Sequence, residues 1–241
     1  MKIPLDLNRF ISDNIHNLYI IRYIIMKLEL LHPFERIPYF TIEGFKQSTG
    51  MDSPDQVRML MYRWAKAGHI VPIKKGLYMS RKFFDLHSGD ESFSSAISTI
   101  LLPLSYISLE FALQRRTILT DITYPVTAIT IRNTRRIVNK LGTFWYRSIR
   151  PDLYHGFKVS EYHGIRFAEA SVSKALFDYL YLRTIPDVYR FPGINLAEEL
   201  RLNLAEFSPA ERDEFSSYVT ESRNRKMWRI NENFRSTLWR P

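Results

Sequence analysis

The chain contains no cysteine. Disulfide scaffolds and thiolate metal sites are thereby excluded, and a reducing compartment suits the protein. Long apolar runs are missing too. Nothing approaches the roughly 18–20 residues that a membrane span needs. The most apolar stretch, Leu18 to Leu31, is broken by Arg22, Lys27 and Glu29. The opening residues MKIPLDLNRF hold no apolar core ahead of a small-residue cleavage site, so no secretory leader and no membrane association are expected, and the cytoplasm is the expected location. Glycine is sparse, at nine residues, and Gly44, Gly50, Gly68, Gly76 and Gly89 stand singly rather than in a phosphate-cradling cluster. No serine sits in a nucleophile elbow. Six histidines are scattered, and His155 and His163 have no acidic neighbour at metal-ligand spacing. No catalytic residues, no metal and no cofactor are expected, and the chain reads as a non-enzyme. Asp178, within an apolar helical stretch, is the one carboxylate whose setting suits an active-site group, but anchoring of its helix is the favoured role.

What is present is charge, unevenly placed. The formal net charge is +9. Residues 1–85 carry 13 Lys/Arg against 8 Asp/Glu, residues 223–241 carry 6 against 1, and residues 86–222 carry 15 against 16. Two basic ends flank a near-neutral body. Cationic ends suit a polyanion, because neutralising phosphates releases condensed counterions. A merely solvated surface has the same composition, so the pattern must be judged with its motifs.

The first 85 residues supply them. Helical spacing at Leu18, Ile21, Ile25, Leu28 and Leu31 predicts a helix from Asn17 to Leu31, stopped by Pro33. Thr41 is a candidate cap for a short second helix, with Phe40 and Phe45 at staple positions and Gly50 at its end. Ser53-Pro54-Asp55-Gln56 has a cap residue, proline at the first helical position and Gln at capping-box spacing. The third helix therefore starts at Pro54 and ends at Gly68, with an apolar stripe of Val57, Leu60, Met61, Trp64 and Ala67. Its other face shows Gln56, Arg58, Met59, Tyr62, Arg63 and Lys66. His69 to Ile73 and Leu77 to Met79 read as a hairpin turning at Lys74-Lys75-Gly76. This order is that of a winged helix-turn-helix. An α-helix fits the DNA major groove. The DNA-binding candidates are Gln56, Arg58, Tyr62, Arg63 and Lys66 on the helix, with Lys74 and Lys75 at the wing. Gln56 and Arg58, near the helix start, are placed to read bases, and the lysines to hold phosphate.

Residues 86–222 read as a larger mixed α+β domain. Ser105 to Arg116 is expected as helix, and Val126 to Arg132, Thr143 to Ile149, Phe157 to Tyr162 and Ile165 to Ala170 as strands, with a turn at His163-Gly164. Ser171 to Arg183, Asn195 to Leu204 and Ser208 to Val219 are expected as helices, the last opened by a capping box. Residues 223–241 form a basic, aromatic tail. Arg225, Lys226, Trp228, Arg229, Phe234, Arg235, Trp239 and Arg240 there either clamp nucleic acid or, for the tryptophan rings, pack on the body, which is the favoured reading.

The order of these features resembles the AbiEi-type antitoxins and transcriptional regulators of bacterial type IV, abortive-infection toxin–antitoxin systems. The residues that carry the resemblance are Lys75-Gly76-Leu77-Tyr78, then Leu104-Ser105-Tyr106-Ile107-Ser108-Leu109-Glu110-Phe111-Ala112-Leu113 with Ile118-Leu119-Thr120, then Ser173-Lys174-Ala175-Leu176-Phe177-Asp178. The order and spacing of the features match over roughly residues 35–183. The resemblance implies a winged-helix domain that represses its own operon, a C-terminal domain tied to antitoxin activity, and a nucleotidyltransferase-like toxin encoded alongside. Operators of this kind are inverted repeats of double-stranded DNA, engaged by two copies. The family commonly has Pro-Glu where this chain has Val172-Ser173. The competing expectation is an interaction protein that neutralises the toxin by contact, with DNA binding secondary. A nucleic-acid-processing enzyme built on residues 86–222 is the third, and would need a pocket with converging carboxylates.

Overall fold

The computed structural model describes residues 28–120, 125–185 and 193–239. Most of the predicted first helix, Asn17 to Leu31, lies outside the described residues, as does Arg240. Only Leu28 and Glu29 of that helix are seen in helical form. The chain divides after Ser88 into two units, and both mix helix and sheet, so the class is α+β.

In the first unit, three local signals set the elements. Strand β1 (Phe40–Thr41) leads into helix α1 (Ile42–Thr49). The Thr41 hydroxyl accepts from the Gly44 N–H at 2.9 Å, and Gly50 closes the helix in the left-handed region. Helix α2 (Pro54–Ala67) starts as predicted, with the Ser53 hydroxyl accepting from the Gln56 N–H, and ends at Gly68 with φ of 83°. Strands β2 (Ile70–Lys74) and β3 (Leu77–Ser80) form the expected hairpin, with Lys75-Gly76 between them. Strand β1 pairs with the free edge of β3, giving a three-stranded antiparallel sheet of order β1-β3-β2. Helix α3 (Arg81–His87) follows, capped by the Ser80 hydroxyl.

These elements share one core of Phe34, Phe40, Phe45, Val57, Leu60, Met61, Trp64 and Ile70. The Phe45 and Trp64 rings meet edge to face at 5.5 Å. One member of the predicted stripe fails: Ala67 is exposed, because it lies in the last turn, beyond the reach of the core.

The second unit is built on a six-stranded mixed sheet of order β6-β7-β5-β4-β9-β8. Its strands are β4 (Ser105–Ile107), β5 (Val126–Thr130), β6 (Arg135–Asn139), β7 (Gly142–Ser148), β8 (Phe157–Tyr162) and β9 (Ile165–Ala170). β4 runs parallel to β9, and β5 parallel to β7; the other pairs are antiparallel. Helix α4 (Phe93–Leu101) lies on one face, where the Tyr146 hydroxyl donates to the Ser98 carbonyl at 2.8 Å. Helices α5 (Leu109–Arg115) and α6 (Val172–Leu182) lie on the other, where Tyr106 of β4 reaches Asp178 of α6. Helices α7 (Leu196–Glu199), α8 (Pro209–Ser222) and α9 (Arg225–Thr237) complete the unit. Among the described residues no helix is long and apolar enough to cross a membrane.

Two expectations for this unit need correction, and β6 and α9 are elements the sequence pattern does not assign. Residues 105–107 form a strand, not the start of a helix. All three are buried, and β4 finds backbone partners in both β5 and β9, so the central position overrides the helical pattern. The edge strand β6 escapes the sequence pattern, because Arg135-Arg136-Ile137-Val138-Asn139 has no alternating buried face. The helix expected over Asn195 to Leu204 stops at Glu199. Arg201 turns into the left-handed region and Leu202 bridges to Leu119. The basic aromatic segment forms α9 over residues 225–237, which packs Met227, Ile230 and Phe234 into the core.

Candidate nucleic-acid interface

Helix α2 has its outward face set by its inward one. Val57, Leu60, Met61 and Trp64 are buried, so Gln56, Arg58, Tyr62, Arg63 and Lys66 are all turned outward and exposed. Tyr62 keeps 64% of its surface open, and Met59 beside it is also open. The hairpin that follows the helix carries Lys74 and Lys75 at its tip. Both are exposed, and Gly76 supplies the φ of 75° that closes the turn. All seven sequence-derived candidates thus stand exposed on a helix and the adjoining hairpin of one unit.

Arg58 is not idle. Its guanidinium donates to the Asp55 carboxylate at 3.0 Å, one turn earlier, with both side chains mostly exposed. A pair this solvated is weak and readily exchanged for a base or a phosphate. Asp55 therefore holds Arg58 over the start of the helix without sequestering it.

The basic end of the chain behaves differently. The Lys226 ammonium donates to the carbonyls of Leu180, Tyr181 and Arg183, at 2.8, 2.6 and 3.0 Å. It caps the end of α6, where unpaired carbonyls gather partial negative charge. Trp239 is buried against Phe207, Phe215 and Phe234, and its indole N–H donates to the Leu204 carbonyl. Trp228 remains 60% exposed. Packing is the expectation for both rings, and only Trp239 meets it.

The second unit holds a buried charge pair. The Lys174 ammonium donates to Asp178 Oδ1 at 2.6 Å, and neither side chain reaches solvent. Asp178 Oδ2 accepts from the hydroxyls of Tyr106, at 2.9 Å, and Ser108, at 2.8 Å. The rings of Phe177, Tyr218 and Tyr106 surround the ammonium at 4.9 to 5.8 Å. Burial pushes the Asp178 carboxyl above the usual range, opposed by Lys174 and the two hydroxyls. Burial, with the Asp178 charge behind it, pushes the Tyr106 phenol up as well. Two segments singled out by their order in the chain, Ser105 to Ser108 and Ser173 to Asp178, meet in this cluster. Asp178 is a helix anchor enclosed by partners, with no surface open to a substrate.

Ser173 donates its hydroxyl to the Glu211 carbonyl at 2.8 Å and is fully buried. A glutamate at this position would bury a second carboxylate near the pair. Nearby, a cavity of about 360 Å³ has Arg116, Lys158, Glu169, Glu211 and Glu214 in its wall. Each of its three carboxylates already serves the fold. Glu169 pairs with Arg115, Glu211 closes the capping box of α8, and Glu214 accepts from Ser171 and Tyr218. Sequence reasoning missed this cavity, since its wall comes from four separate segments.

No model of a known protein family matches the chain, and no curated protein matches it.

Proposed function

We propose that the first unit is a winged helix-turn-helix, that α2 is its recognition helix and that the β2–β3 turn is its wing. The chain is then a DNA-binding transcriptional autorepressor and antitoxin of the AbiEi kind, acting in the cytoplasm within a type IV toxin–antitoxin system. Its partners are a double-stranded, inverted-repeat operator and a nucleotidyltransferase-like toxin. It is not an enzyme and needs no cofactor.

One observation carries the DNA-binding part. The polar and cationic face of α2, from Gln56 to Lys66, is exposed and is followed directly by a hairpin whose turn bears Lys74 and Lys75. Such a helix supplies base contacts in the major groove, and a lysine turn supplies phosphate contacts beside it. The antitoxin part rests on the resemblance alone. Two of the segments that carry it meet around Asp178.

A gel-shift series on the protein's own promoter tests the proposal. Arg58→Ala should cost about 1–3 kcal/mol on the operator and relax preference at one base pair. Lys75→Ala should weaken all duplexes alike and reduce the salt slope by about 1. Unchanged binding in both variants would refute the assignment of α2 and the turn.

A further inference from the structure

From Ile122 to Pro151 the sequence has six Arg or Lys and no Asp or Glu. The body of the chain is near neutral only because this segment is balanced elsewhere. Strands β6 and β7 gather four of these six into one hairpin with Lys140-Leu141 at its tip. Arg132, Arg135, Arg136 and Lys140 are exposed, and among the described residues none of them has a carboxylate partner.

The hairpin also carries an open aromatic surface. Trp145 lies opposite Arg136 in the register and keeps 40% of its surface exposed. Arg147, next on the same face, places its guanidinium 5.4 Å from the Trp145 ring. Val138, also on this face, is 65% exposed. A groove of about 550 Å³ is lined by Pro125, Arg136, Gly142, Thr143 and Trp145. Helices α5 and α6 pack over the middle of this face, where the Phe111 N–H donates to the Thr127 hydroxyl and Arg147 donates to the Leu182 carbonyl. The edge hairpin extends past them.

We propose that this hairpin is a second nucleic-acid surface and that it takes single strands, by stacking unpaired bases on Trp145 while Arg136, Lys140 and their neighbours follow the backbone phosphates. Cations alone protect an edge strand from pairing with another sheet. That purpose does not call for an exposed tryptophan beside a groove, with Arg147 against its ring and Arg136 opposite it in the register. Aromatic rings interleaved with cations on an open sheet bind single strands, because every base has a π-face and a duplex hides its own. This surface does not depend on the reading of α2, which belongs to the other unit and is assigned to duplex DNA.

The test titrates the full-length protein into fluorescein-labelled oligo-dT, oligo-U and a duplex of equal length, read by anisotropy. Binding of a single strand is expected, weakening as salt rises. Trp145→Ala should weaken it about tenfold or more, and Trp145→Phe should keep most of it. Lys158→Ala, an exposed cation on β8 outside both surfaces, should leave it unchanged. Preference for oligo-U assigns RNA, and preference for oligo-dT assigns single-stranded DNA. If Trp145→Ala shifts the thermal melt, the exposed double variant R136A/K140A serves in its place. The proposal fails if no single strand binds, if neither variant weakens it, or if the duplex binds better and suffers equally from the substitutions.

Discussion

Removing the Asp178 carboxylate leaves three buried groups without their partner. The Lys174 ammonium loses its counter-charge, and the hydroxyls of Tyr106 and Ser108 lose their acceptor. Breaking a buried pair from one side costs about 3–5 kcal/mol. Each orphaned hydroxyl adds about 1–3 kcal/mol, reduced where it can rotate to another acceptor. Asp178→Ala should therefore remove at least about 4 kcal/mol, a large share of the roughly 5–15 kcal/mol that holds a typical domain. Urea unfolding followed by circular dichroism measures the loss. The reasoning makes a sharper claim about coupling. In a Lys174→Met background the stranded ammonium is gone, so Asp178→Ala should cost about 2–3 kcal/mol less than it does alone. Adding Tyr106→Phe should recover part of the rest. Comparison with a Trp64→Phe variant separates the units in tryptophan fluorescence, because Trp64 lies in the first and Trp145, Trp228 and Trp239 in the second. Additive costs for Asp178 and Lys174, within about 0.5 kcal/mol, would refute an energetically coupled pair.

Two further outcomes follow from the same unit. Burial pushes the Tyr146 phenol up to about 12. A group whose folded pKa is raised contributes its full stability below the unfolded value near 10 and loses it as pH climbs to the folded one. One such tyrosine costs about 1.4 kcal/mol per pH unit over that window. Tyr146→Phe should flatten the alkaline loss by about one proton in a pH series of urea midpoints, and an unchanged slope would count against this burial effect. Gly156 has φ of 78°, and a Cβ there would overlap the Tyr218 hydroxyl and sit 2.8 Å from its ring carbon and 3.1 Å from Lys174 Cδ. Gly156→Ala should cost about 2 kcal/mol or more, from backbone strain and crowding together, read as a drop in melting temperature. A neutral outcome would mean that the cage around Lys174 yields freely.

Much of the architecture was legible wherever the deciding interaction is local. Ser53-Pro54 starts α2, Ser208-Pro209-Ala210-Glu211 starts α8, and His163-Gly164 turns between β8 and β9 at the expected residues. In each case the cap or turn is satisfied within about four residues, so the sequence needs no distant partner to reveal it. The exposed face of α2 was legible for the same reason, because helical periodicity assigns inside and outside together.

The rest was decided by partners far along the chain. Ser105 to Ile107 have the spacing of a helix and become a strand because β5 and β9 supply hydrogen bonds on both sides. Lys226 has the sequence setting of a cation offered to nucleic acid, yet the end of α6, more than forty residues earlier, claims it. Trp228 and Trp239 lie in equally basic surroundings, and only the position of the α8–α9 core decides which is buried. Arg136, Lys140 and Arg147 are ordinary composition until one hairpin gathers them on the face of Trp145. By itself the sequence determined where helices start, where turns fall and which face of α2 is cationic, since those depend on neighbours in the chain. Only the tertiary structure decided which charges are used up in the fold and which remain open, because a charge is neutralised by what lies beside it in space.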